Sequence, residues 1–160
     1  SVHVLQQHSF LEHVRDIARL WKVPAEAIVL EVTESGLMQD LQHCEQMLRR
    51  LRDHGFGIAI DDFGTGYSSM AYLKRLPATE LKIDRSFVVD MHEDARTQKL
   101  VGSMIDGSHH LGMSVVAEGV ENQAALDRLR TMGCDHAQGY HLGRPMPAGD
   151  LVAGLKQQPR

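Results

Sequence analysis

Apolar and polar positions follow two rhythms along this 160-residue chain. Short β-branched runs predict buried strands: AIVLEVTE (27–34), GIAIDD (57–62), ELKID (80–84), MSVVAEG (113–119) and a weaker CDHAQGY (134–140). The stretches between them repeat at helical spacing. Leu41, Cys44, Met47, Leu48 and Leu51 fall on one helix face, Arg49, Arg50 and Arg52 face water, and Gly55 closes the pattern. Segments Phe10 to Lys22, Ala95 to Leu111 and Asn122 to Met132 read the same way, the last two stopped by Gly112 and Gly133. Strand and helix in alternation imply an α/β fold with a parallel sheet and right-handed crossovers. No low-complexity stretch or second domain interrupts it.

The polar residues gain meaning on this map. Glu31, Asp61, Lys82, Glu118 and Gln138 each lie in or at the C-terminal end of a successive expected strand. In a parallel α/β barrel those ends converge on one face, where catalytic groups gather. Asp61 and Asp62 are adjacent, and strict alternation along a strand would aim only one of them inward while the other leans toward the next loop. The two carboxylates repel unless something positive lies between or beside them, and a divalent cation is the usual solution. Gly64, Thr65 and Gly66 follow, but Ser69 stands where a dinucleotide fingerprint needs its third glycine, and no Gly-Lys-Ser/Thr is present. This favours a loop hung on a metal-binding strand end over a phosphate cradle. Lys82 sits in an apolar strand, where an unpaired ammonium would be costly.

Composition removes other classes. A net charge of -4 and the lack of a basic stripe argue against a nucleic-acid duplex as partner. No apolar run approaches a membrane span. Cys44 and Cys134 lack metal-site spacing, which points to a reducing, cytoplasmic setting without a disulfide framework. His109 and His110 are adjacent on an expected helix and point apart, so they do not share a metal. Trp21 and the methionines are expected in the core or in helix packing.

The segments EVTES, DDFGTGYSS, LKIDRSFV, VVAEGVEN and QGYHLGRPMP occur in an order that resembles the EAL-domain family, the bacterial cyclic di-GMP phosphodiesterases. The resemblance spans essentially the whole chain. It implies a variant TIM barrel that opens cyclic di-GMP to linear pGpG at a pair of Mg²⁺ or Mn²⁺ ions. Carried over position by position, it makes Glu31, Asp61, Asp62 and Glu118 metal ligands, with Asp61 bridging the ions. Lys82 would hold the attacking water, and Glu118 matches a metal ligand or general base. Glu121 and Gln138 match supporting positions around water and substrate. Glu34 resembles the anchor of the loop that starts at Gly64, Thr65 and Gly66, a loop linked in the family to metal binding and homodimerisation.

The family's Glu-x-Leu and Asn-x-Ser motifs are not in these residues, and SVHVLQQHSFLEHV resembles the stretch that begins with the Ser of Asn-x-Ser. A complete barrel takes about 250 residues, so the expectation is a truncated EAL domain over 1–160, holding about the last five strand-helix units. Such a piece would be inactive alone. The remaining readings are a degenerate cyclic di-GMP receptor or an interaction scaffold.

Overall fold

The computed structural model describes residues 9–38, 40–66 and 70–157. Five strands, β1 (Val29–Thr33), β2 (Gly57–Phe63), β3 (Glu80–Ile83), β4 (Ser114–Ala117) and β5 (His136–Ala137), form one sheet in chain order. Every pairing is parallel. The principal helices are α1 (Phe10–Leu20), α2 (Glu34–Leu37), α3 (Leu41–Asp53), α4 (Met70–Leu73), α5 (Arg85–Val88), α6 (Ala95–His110), α7 (Gln123–Thr131) and α8 (Ala148–Gln157), with a 3₁₀ turn at Ala25–Ala27. A parallel sheet laid down in chain order is a sector of a TIM-like barrel.

Register divides the sheet into two faces. Leu30 and Val32 lie beside Ile58 and Ile60, Ile60 lies beside Leu81, Leu81 beside Val115 and Ile83 beside Ala117. Neighbours in register share a face, and this face joins one core with Cys44, Met47, Leu48 and Leu51 of α3, Val101 and Ile105 of α6, and Leu126 and Leu129 of α7. The opposite face carries Glu31, Asp61 and Lys82. Because the residues alternate, a single strand such as Leu81-Lys82-Ile83 serves the core and the inner face at once.

Helix ends follow local chemistry. Asp40, Asp94 and Asn122 cap α3, α6 and α7 by accepting from backbone N–H groups of His43, Arg96 and Thr97, and Ala125. Gly55, Gly112 and Gly133 follow these helices with φ of 93°, 77° and 76°, where a side chain would be strained.

Several sequence expectations require correction. Glu34, read as the end of a strand, opens α2 instead, because the Thr33 hydroxyl accepts from the Gly36 N–H and turns the chain into a helix. The fifth strand is confined to two residues. Trp21 is 73% exposed. The stripe Leu11, Val14 and Ala18 packs α1 inward, but the helix ends at Leu20 and Lys22 turns to φ 54°, which carries the indole off the stripe. Met47, Met91, Met104 and Met113 are buried, whereas Met38 and Met146 are exposed. Arg52 is half-buried and donates to the Phe56 carbonyl at 2.9 Å instead of facing water.

Candidate active site

The site begins with a break in strand pairing. Ile60 pairs with Leu81 but Phe63 pairs with Ile83, so Asp61 and Asp62 together stand opposite Lys82 alone. Two residues facing one is a β-bulge, which re-aims side chains. Asp62 takes φ 56°, in the left-handed region that Asp tolerates better than most residues. Its N–H donates to Asp61 Oδ1 at 3.1 Å. Strict alternation would separate the two carboxylates. The bulge instead lets Asp61, Asp62 and Glu118 each offer an oxygen within 4.8 Å of the others.

Lys82 stands at the centre of this group. Its ammonium lies 3.0 Å from Glu31, 3.0 Å from Asp61 and 2.7 Å from Glu118, with the side chain only 7% exposed. Burial pulls its pKa down, but hydrogen bonds to Glu118, Asp61 and Glu31 outweigh that and hold it above the ordinary lysine range. The ammonium is therefore fixed in its charged form. Asp62 responds the other way. Burial first, then the charges of Asp61 and Asp84, raise its pKa, and Lys82 only partly offsets them. One ammonium does not neutralise this many carboxylates, and a hard, all-oxygen donor set with surplus negative charge fits a divalent ion such as Mg²⁺, Mn²⁺ or Ca²⁺.

Glu118 is placed by the last turn of the ladder, where its N–H donates to the Ile83 carbonyl at 3.1 Å. Gly119 follows at φ 71°, against the Arg85 side chain. Glu34 is 1% exposed and accepts from the Gly64 N–H at 2.9 Å. A side chain at Gly66 would start 2.6 Å from Glu34 Oε1, so the carboxylate as it stands leaves no room for one. Thr65 continues the turn by donating to the Asp62 carbonyl at 2.8 Å. The loop positions 67–69 lie outside the described residues, as does the stretch 1–8 that resembles the start after Asn-x-Ser.

The structure thus brings Glu31, Asp61, Asp62, Lys82 and Glu118 together, and joins Glu34 to the loop at Gly64 and Gly66. Glu121, three residues past Glu118, accepts from Arg85 at 3.3 Å. Gln138 follows β5 directly, with its backbone bonded to Ala117 and Val120 and its side chain exposed. Asp84, two residues past Lys82, escaped sequence reasoning although LKID displayed it. It caps α5 through the Ser86 N–H at 2.9 Å and adds to the negative field on Asp62. His109 and His110 part as expected: His109 Nε2 meets Asp135 at 2.8 Å, and His110 Nδ1 meets the Asp106 carbonyl at 2.6 Å.

Known proteins are similar to this chain in sequence and fold. The EAL domain model matches residues 1–145. The bifunctional diguanylate cyclase/cyclic di-GMP phosphodiesterase MucR of Pseudomonas aeruginosa is 48% identical over 128 residues, a match covering 80% of this chain and 19% of MucR. A solved PaMucR phosphodiesterase in complex with c-di-GMP superposes with a TM-score of 0.88 at 42% identity, over 94% of this chain and 61% of that one. The manganese/cy-diGMP complex of Klebsiella pneumoniae BlrP1 gives a TM-score of 0.84 at 30% identity, over 89% of this chain and 36% of that one. The chain thus spans only part of the relatives it matches. With the ordered motifs, the parallel strands and the family match in agreement, this chain belongs to the EAL domain family.

Proposed function

We propose that residues 1–160 supply five strand-helix units of an EAL barrel that hydrolyses cyclic di-GMP to linear pGpG in bacterial second-messenger signalling. The observation that carries this reading is the meeting of Asp61, Asp62 and Glu118 within 4.8 Å, beside a buried Lys82. The solved relatives with c-di-GMP, one of them with manganese, support it.

In this reading Asp61, Asp62 and Glu118, with Glu31 alongside, hold two Mg²⁺ or Mn²⁺ ions. Such ions supply a water of lowered pKa and a clamp on the phosphate oxygens. Glu118 would serve as a metal ligand or as the general base for that water. Lys82, kept charged by its carboxylates, orients the water and offsets negative charge gathering at phosphorus. No covalent intermediate is needed. Glu121 and Gln138 support the substrate side. Glu34 fixes the path of the loop after Asp62, through which the intact domain would form a homodimer. The domain acts in the cytoplasm, and among the described residues no helix is long and apolar enough to cross a membrane.

The 160 residues contain neither Glu-x-Leu nor Asn-x-Ser, so two ligands of the ion pair are not among them. The test compares two chains by chromatography of cyclic di-GMP incubated with Mg²⁺ or Mn²⁺. Residues 1–160 alone are expected to form no pGpG, and a chain placing them after the Glu-x-Leu and Asn-x-Ser segments is expected to form it. In the longer chain Asp61→Asn and Glu118→Gln each abolish turnover with little change in Tm. Turnover that survives either substitution refutes the assignment.

A further inference from the structure

The other end of the sheet also carries a concave surface. The carboxylates gather at the C-terminal strand ends, whereas a cleft of about 470 Å³ opens where α1 ends and β1 and β2 begin. Its wall carries Arg15, Arg19, Lys22 and His54, with Val23 and Pro24 as exposed apolar surface, and no carboxylate among its described lining residues. Among the described residues Arg15 and Lys22 form no ion pair, and Arg19 has only a loose, exposed contact with Asp16 at 3.9 Å. His54 Nδ1 lies 2.8 Å from the Arg50 carbonyl. A carbonyl only accepts, so Nδ1 carries the proton and Nε2 remains available. Lys22 closes α1 at φ 54°, with the Val23 N–H donating to the Ala18 carbonyl at 2.9 Å.

We infer that this cleft binds a small phosphate monoester with an apolar body. Three permanent positive charges suit a dianion better than a monocarboxylate, and arginine presents paired donors that match phosphate oxygens. The exposed Val23 and Pro24 surface gives an ester an advantage over free phosphate. The volume lies within the range of small-molecule sites.

Calorimetric titration of the full chain in EDTA, with phenyl phosphate and inorganic phosphate as probes, tests this. Without metal the acidic cluster repels anions and does not compete with the cleft for them. Phenyl phosphate is expected to bind saturably and inorganic phosphate about tenfold more weakly, with Arg15→Gln and Lys22→Gly each weakening phenyl phosphate about tenfold. Glycine suits the positive φ at position 22, so Lys22→Gly removes the charge without straining the backbone. The inference fails if phenyl phosphate gives no saturable heat up to about 10 mM. It also fails if binding is indifferent to both substitutions, or if inorganic phosphate binds as tightly as the ester.

Discussion

The two faces of the sheet are made by the same strands, yet they do opposite things to the fold. On the helix side Ile58, Ile60, Leu81, Ile83, Val115 and Ala117 are at most 1% exposed and carry no charge. One residue away along the strands, Glu31 and Asp61, joined by Glu118, crowd like charges around the single ammonium of Lys82. The first face gains stability from burial, and the second spends part of that gain holding carboxylates in mutual repulsion. Alternation lets both coexist, so substitutions one position apart should fail differently.

Leu81→Ala should have the largest effect on stability. A fully buried leucine truncated to alanine costs about 2–5 kcal/mol, and the thermal melt should fall sharply whether or not Mn²⁺ is present. An unchanged Tm would mean that the helix-side face is not the core. Lys82→Met, next door, should lower stability by about 1–3 kcal/mol by leaving its carboxylates unneutralised, and Mn²⁺ should restore part of that loss. Lys82 has a raised folded pKa, so its contribution is full below the ordinary lysine range and is lost as pH rises through the raised value. The alkaline fall in wild-type stability should therefore be weaker in Lys82→Met.

Asp62→Asn sharpens the contrast with a smaller effect of opposite sign. Asp62 also has a raised pKa, so its contribution is full below the ordinary aspartate value and is lost as pH rises through the folded value. At neutral pH in EDTA the asparagine variant should melt slightly above wild type, and Mn²⁺ should stabilise it less. A variant that melts lower in EDTA would show that Asp62 is not under electrostatic strain.

The helix-side face was largely legible in the chain. The runs at 57–62 and 80–84 and the stripe Cys44, Met47, Leu48 and Leu51 announce buried strands and a packed helix, and glycines mark the helix ends. The inner face was legible as a list of residues but not as a geometry. Nothing in GIAIDDF displays a bulge, because alternation is the default and the departure depends on pairing with β3. Asp62 at positive φ, the triple ion pairing of Lys82 and the contribution of Asp84 all follow from that pairing. Glu34 looked like strand sequence because a capping threonine and a β-branched strand residue are the same amino acid until Gly36 closes the turn. Trp21 misled because the helical stripe outlasted the helix.

The most direct test of the inner face as a divalent-ion site is a Mn²⁺ titration of the chain followed by electron paramagnetic resonance. Saturable, weak binding is expected, with Asp61→Asn and Glu118→Gln each weakening it roughly tenfold or more while the far-UV circular dichroism stays unchanged. Mn²⁺ binding that ignores both substitutions, or no binding at all, would contradict the assignment of Asp61, Asp62 and Glu118 as metal ligands.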